Sequence, residues 1–219
     1  RDSNMAQSIA IHPDGRRAYV PHIQSNVENE FRLFDTTVFP VVSVLELNPG
    51  APRHLRREKI GLDAVDRPVN MPFAAACSPD GRLLYVVNAG SDDLSIIDLE
   101  SRLGVGHRDV GANPRGIALS PDGAEVYVAN TGSNDVTVID TRSRNATAPA
   151  RAIRVTEDGR PADVKQGQAL FFSSARPELS KDRWVSCASC HFDGEIDGRT
   201  WKTERGPRNT QFLQNIAET

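Results

Sequence analysis

Apolar and polar residues alternate in short runs through the first two-thirds of the chain, and the runs recur. One unit, SIAIHPDGRRAYV, begins at Ser8. FAAACSPDGRLLYVVNAGSDDLSIIDLES begins at Phe73, and RGIALSPDGAEVYVANTGSNDVTVIDTRS at Arg115. Each opens on an apolar run, turns at P-D-G and continues into Y-V. The last two also share Y-V-x-N and an apolar run ending in Asp98 or Asp140. Ile117–Leu119, Val126–Ala129 and Val136–Ile139 are strand-length and rich in β-branched and small residues. P-D-G and N-D are the turn formers between them, with Gly supplying a positive φ. Ala146–Val155 completes the third unit as its outer strand. Pro79 and Pro121 open equivalent turns 42 residues apart. A period of about 40–50 residues with several strands per unit predicts propeller blades, four-stranded antiparallel sheets stacked so that each covers its neighbour.

The first unit is longer. Pro13 and Pro79 are 66 residues apart, and most of the excess is NPGAPRHLRREKIGLDAVDRPVN, residues 48–70. Charged, with Pro and Gly at its ends, it reads as a loop on one propeller face, either a solvated excursion or a contact surface. Blade one also has His22 where the others carry Asn88 and Asn130, which marks it as a loop residue. The motifs Tyr85-Val86-Val87-Asn88, Tyr127-Val128-Ala129-Asn130 and Ile139-Asp140-Thr141 resemble the YVTN family of β-propellers. That resemblance covers about residues 5–155 and implies a fold, not a function. Three blades do not close a ring, so further blades are expected outside this chain.

After Val155 the repeat stops. Val164, Gly167, Leu170 and Phe171 recur at helical spacing and predict a short amphipathic helix. A polar stretch, Ser173–Arg183, leads to VSCASCHFDGEIDG at 185–198. Here Cys187-x-x-Cys190-His191 carries a specific logic. Two thiols add to the vinyl groups of a haem, and the next histidine reaches the iron. Zinc needs a fourth ligand, and the other histidines, His12, His22, His54 and His107, all lie in the repeat region. A redox dithiol needs a βαβ setting, which the pattern does not provide.

The run G-Q-A-L-F-F, then S-C-A-S-C-H-F-D-G, D-G-x-x-W and R-G-P-R-N-T resembles the cytochrome c peroxidase and MauG family. The residues that carry it are Gly167, Leu170, Phe171, Ser186 to His191, Asp193-Gly194 and Arg208-Asn209-Thr210. The resemblance covers about residues 162–219. It implies a c-type haem module that typically holds two haems and reduces peroxide or oxidises a protein partner. One C-x-x-C-H is present here: these residues supply neither the second haem that a peroxidase of this family needs nor the closing helix of a cytochrome fold. Met5 and Met71, the two methionines, both fall in the propeller region, and the sequence marks no distal iron ligand.

Other side chains enter around this motif. Trp201 is expected either against the haem or as the anchor of the small domain. Arg208, with Arg205 beside it, has the fork geometry for haem propionates, against a plain solvated role. Asp193, Glu195, Asp197, Gly198 and Glu204 also fall on the positions of a calcium loop, although Glu stands at position three and no helices flank it. The alternative is a polar loop over the haem edge. Cys77 sits in an apolar strand and reads as a small hydrophobe. Asp80 and Asp122 read as turn residues.

Bulk composition narrows the partners. The 219 residues carry a formal net charge of -3, which gives no reason to expect nucleic acid or an anionic membrane surface. No apolar run approaches the roughly 20 residues of a membrane helix. The expectation is a mainly β chain with two parts. Residues 1–155 form propeller blades, and 156–219 form a small α-helical, cytochrome c-like module that is incomplete in this chain. Its function would be that of an exported, periplasmic or cell-surface haem c redox protein. It would transfer electrons, as part of a di-haem peroxidase or MauG-like oxidoreductase, to or from a protein partner docked on the propeller. Two alternatives stand beside it: a cell-surface binding scaffold with an accessory haem, and an enzyme whose site is the propeller channel, fed electrons by the haem.

Overall fold

The computed structural model describes residues 3–31, 36–48, 58–63, 66–143 and 150–214. Three antiparallel sheets follow one another along the chain. The first pairs two short inner strands, β1 (Ser3–Asn4) and β2 (Ala10–Ile11), with the same edge of β3 (Arg17–Ser25), followed by β4 (Val38–Glu46) and β5 (Glu58–Gly61). The second runs β6 (Pro72–Cys77), β7 (Leu83–Asn88), β8 (Asp93–Asp98) and β9 (Leu103–Asp109). The third runs β10 (Pro114–Leu119), β11 (Glu125–Asn130), β12 (Asp135–Asp140) and β13 (Arg151–Arg154). From β2 to β5, β6 to β9 and β10 to β13 sequential strands pair, as in propeller blades. The fourth strand expected over Ala146–Val155 is β13; residues 146–149 lie outside the described residues.

The P-D-G turns close the first hairpin of every blade. Gly15, Gly81 and Gly123 all hold φ near +70°, where a Cβ would be strained. Asp80 accepts from the Arg82 amide at 3.0 Å and Asp122 from the Ala124 amide at 3.1 Å, which makes both turn residues, as expected. A second repeated device opens each blade. Met5, Met71 and Asn113 lie eight residues before the turn prolines and share a left-handed backbone, with φ of 59°, 55° and 51°.

Strand β7 shows why blades stack. Leu84 and Val86 point into the apolar layer shared with Tyr19, Val42 and Ile60 of the first blade. Tyr85 and Val87 point the other way, against Val126, Val128 and Ile139 of the third. Both faces are buried, so the period-2 pattern is apolar on each side. The Asn of Y-V-x-N ties the top of its hairpin. Asn88 donates to Asp93 and to Ser95 at 2.8 Å each, and Asn130 donates to Asp135 at 2.6 Å and to Thr137 at 2.8 Å.

Three expectations are corrected here. His22 is no loop residue: it is buried in β3, and its Nε2 lies 2.8 Å from Ser43 Oγ, doing the work of Asn88 and Asn130. The 48–70 stretch is not simply an excursion. It contains β5, the outer strand of the first blade, and buries Leu62 and Val69 in the inter-blade layer. Residues 49–57 and 64–65 lie outside the described residues. The helix forms as α1 (Ala162–Phe172), but Val164 is exposed and no residue is fully buried. Its last turn, with Phe171 and Phe172, packs on the apolar cluster shared with the propeller.

After α1 the chain makes two short 3-10 turns, Cys187–Ser189 and Phe192–Gly194. It ends in a small ladder of β14 (Thr200–Trp201) with β15 (Arg208–Asn209). One apolar cluster joins this part to the blades. Met5, Ile23, Val38, Met71 and Ala89 from the propeller pack with Ala188, Trp201, Phe171, Phe172, Trp184, Cys190 and Phe192. Backbone bonds reinforce it: the Ser174 amide donates to Gly90 O at 2.7 Å and the Lys202 amide to Val27 O at 2.8 Å. Among the described residues no helix is long and apolar enough to cross a membrane.

Candidate functional site

The C-x-x-C-H turn forms because its own serines close it. The Ser186 amide donates to Ser189 Oγ at 3.0 Å, and the His191 amide donates to Cys187 O at 2.9 Å. The turn is then grasped from the propeller by Asn70. Asn70 Nδ2 donates to Ser186 Oγ at 3.0 Å, and Ser189 Oγ donates to Asn70 Oδ1 at 2.9 Å. Asn70 and Ser189 are both buried, so this two-point clasp is shielded from water. Met71, one residue on, places its Sδ 3.5 Å from Ser186 Oγ.

Cys187, Cys190 and His191 all line one cavity of about 590 Å3, within the range of cofactor-sized pockets, roughly 300–1,000 Å3. Its apolar walls are Trp184, Trp201, Leu213 and, from the propeller, Val38; Arg208, Asn209 and Gln211 add polar groups at the same cavity. Cys187 is exposed and Cys190 half-buried, and neither is in a disulfide. His191 Nδ1 is buried and has no hydrogen-bond partner among the described residues. Two thiols outside any disulfide and an imidazole facing one largely apolar cavity are the donor set that covalent haem attachment uses, so the residues present fit the group.

The remaining expected residues divide. Trp201 is buried in the shared cluster, where it anchors the small domain, and it also lines the cavity, with Nε1 donating to Asp197 Oδ2 at 2.9 Å and to Thr210 Oγ1 at 3.2 Å. Arg208 is exposed and lines the cavity, with Nη1 donating to Pro207 O at 2.9 Å. Arg205 does not line it.

The calcium loop is not formed. Asp193 turns its carboxylate to the Arg115 guanidinium, with contacts of 2.7 and 3.2 Å. Asp197 is engaged by Trp201 and by the Arg199 amide, and Glu195 and Glu204 are exposed. Among the described residues no group of three His, Cys, Asp or Glu side chains is placed to hold a metal ion. Carboxylates already neutralised or turned apart do not converge on a cation.

Sequence reasoning missed the propeller's share of the site: Thr37 and Val38 at the cavity, Asn70 on the turn and Arg115 beside it. For Asn70 one signal existed. Asn-Met occurs at 4–5 and again at 70–71, at the same distance from each P-D-G turn. Burial pushes the Cys77 thiol up to about 11, in keeping with its reading as a small hydrophobe.

Comparison with known proteins bears on the propeller. No curated protein matches the chain. Hydrazine synthase of Kuenenia stuttgartiensis matches in structure with a TM-score of 0.56 at 24% identity, covering 65% of this chain and 47% of that one. A Bacteroides fragilis protein assigned as a 6-phosphogluconolactonase matches with a TM-score of 0.48 at 21% identity, covering 68% of this chain and 38% of that one. The chain thus spans less than half the length of either, and the likeness concerns fold. The family described as "Lactonase, 7-bladed beta-propeller" matches residues 8–150, which takes in β2 to β12 and stops before β13 and α1. The chain belongs to this lactonase family of seven-bladed β-propellers.

Proposed function

We propose that this chain is part of an exported haem c redox protein, in which the blades hold and wall a haem attachment site. The observation that supports it best is the shared cavity: Cys187, Cys190 and His191 face it together, and propeller residues close one side. In this reading Cys187 and Cys190 tether the porphyrin and His191 ligates the iron. Trp201 and Trp184 exclude water, and Arg208 pairs with a propionate. The bound group supplies a one-electron iron couple. The residues around it fix the position of the imidazole and keep the site dry, which is what electron transfer asks of a protein. A peroxidase or MauG-like role belongs to the same reading, with a second haem and a redox protein partner supplied from outside these residues. Location outside the cytoplasm follows from where c-type haem is assembled.

The direct test is expression with haem c assembly in an exporting host, then a haem stain on the denatured chain and a reduced-minus-oxidised spectrum. The expected result is one covalent haem, lost in a C187A/C190A variant. A parental chain that carries no covalent haem under those conditions refutes the reading. Turnover of peroxide with a reduced cytochrome donor then separates a peroxidase role from a scaffold carrying an accessory haem.

A further inference from the structure

The residue next to the candidate iron ligand is held by a cation from the third blade. Arg115 lies on β10, and its guanidinium carbon is 5.3 Å from the Phe73 ring centroid, 5.1 Å from Phe172 and 5.3 Å from Phe192. Those rings come from three different places: the second blade, the end of α1 and the position directly after His191. The nitrogens are used as well. Nη2 and Nη1 donate to the two carboxylate oxygens of Asp193 at 2.7 and 3.2 Å, and Nε donates to Asn113 Oδ1 at 2.7 Å. The Arg115 side chain keeps only 22% of its accessibility. Asp193 itself is strained into a left-handed backbone, with φ of 51°, in a turn closed by the Gly194 amide on His191 O at 2.9 Å.

A guanidinium in a cage of ring faces, with a two-point carboxylate partner, keeps its place far better than a surface ion pair. Both charges of this pair therefore stand at fixed positions, the carboxylate two residues from His191 and the guanidinium against the ring of Phe192. We propose that Arg115 is a positioning residue for the haem centre, and that the Arg115–Asp193 pair sets the reduction potential of the iron from the side of His191. The inference rests on the haem reading above. Its physics is the sign of the charge: reduction adds an electron to the iron, so a nearby cation favours the reduced state and a nearby carboxylate opposes it. Paired, the two largely cancel; separated, each acts alone.

The test is a mediated redox titration of the full chain carrying its haem, at one pH and ionic strength. R115Q, which leaves Asp193 unbalanced, is expected to lower the midpoint potential. D193N, which leaves Arg115 unbalanced, is expected to raise it. R115Q/D193N should return towards the parent, and R115K, which keeps the charge and loses the fork, should stay close to it. Midpoints that do not move in R115Q and D193N, or that move in the same direction in both, overturn the proposal, because a purely packing role predicts no change of sign. Should R115Q fail to fold, D193N alone still decides by the sign of its shift. Haem staining of every variant keeps the two readings apart: a parent without haem sinks both, whereas stained variants with the parental midpoint sink only this one.

Discussion

Replacing Asn70 by alanine should loosen the C-x-x-C-H turn from the propeller while leaving the blades folded. The carboxamide makes two buried hydrogen bonds, to Ser186 at 3.0 Å and from Ser189 at 2.9 Å. Each contributes about 1 kcal/mol net. The hydroxyls left behind are not bare: Ser186 Oγ and Ser189 Oγ lie 3.3 Å apart, and Ser189 Oγ still accepts from the Ser186 amide. That limits the desolvation penalty. The carboxamide also fills space against Gly90, where an added Cβ would come within 2.3 Å of Nδ2, so its removal leaves a small void. Two bonds and a void together cost roughly 2–3 kcal/mol. That is about a 30- to 150-fold loss in the docking equilibrium, at tenfold per 1.4 kcal/mol.

The assay is urea unfolding of the haem-free chain followed by two probes. The chain has two tryptophans, Trp184 and Trp201, and both belong to the C-terminal part and pack on the blades, so their emission reports that part and its seam with the propeller. Far-ultraviolet dichroism reports the blades. In the N70A variant the tryptophan transition should move to lower urea and separate from the β signal. S189A should show part of the effect, and N70A/S189A less than the sum, because the two residues share a bond. Transitions that stay coincident, with a stability within about 0.5 kcal/mol of the parent, would show that the clasp holds nothing.

Two further outcomes follow from single residues. H22N should be tolerated within about 1 kcal/mol, because the blade already uses Asn at this position in Asn88 and Asn130, whereas H22A should cost about 2–3 kcal/mol by stranding the buried Ser43 hydroxyl and leaving a void; thermal unfolding distinguishes them. In the haem-free chain at pH 8, iodoacetamide should modify Cys187 quickly, Cys190 more slowly and Cys77 only after unfolding. Burial holds the Cys77 thiol near 11, so its thiolate fraction there is about one in a thousand, and mass spectrometry of the labelled peptides reads the order.

The blades were legible because their determinants are local. A P-D-G turn, a left-handed glycine and a period-2 run all fall within a dozen residues of one another. The outer strand β5 was not, because E-K-I-G has one apolar side chain and becomes a strand only by pairing with β4, at Val42↔Ile60 among others. The helix stripe misled for a similar reason. Spacing put Val164 and Phe171 on one face, but the apolar cluster takes in Phe171 and Phe172 and leaves Val164 in water. In the site, the thiols and histidine are adjacent in sequence and could be read directly. Asn70 and Arg115 act across 116 and 78 positions of chain, and no local pattern encodes such a contact.

The boundary near residue 155 is therefore a boundary in pattern. No boundary between cores coincides with it. The repeat ends there, and the family match ends at residue 150, yet the apolar cluster beneath the cysteines draws on Met5, Ile23, Val38, Met71 and Ala89. Two of these, Met5 and Met71, are the left-handed residues that open the first and second blades, and the third opener, Asn113, holds Arg115 in place. The same backbone device thus presents a side chain to the C-terminal part at the first two blades, and at the third it holds Arg115, which reaches Asp193. A propeller that only carried the C-terminal part on a tether would have no need of matched contacts at successive blade openings. Matched contacts fix the orientation of the C-x-x-C-H turn relative to the blades. In a redox protein that orientation decides which face of the cofactor a partner docked on the propeller can approach.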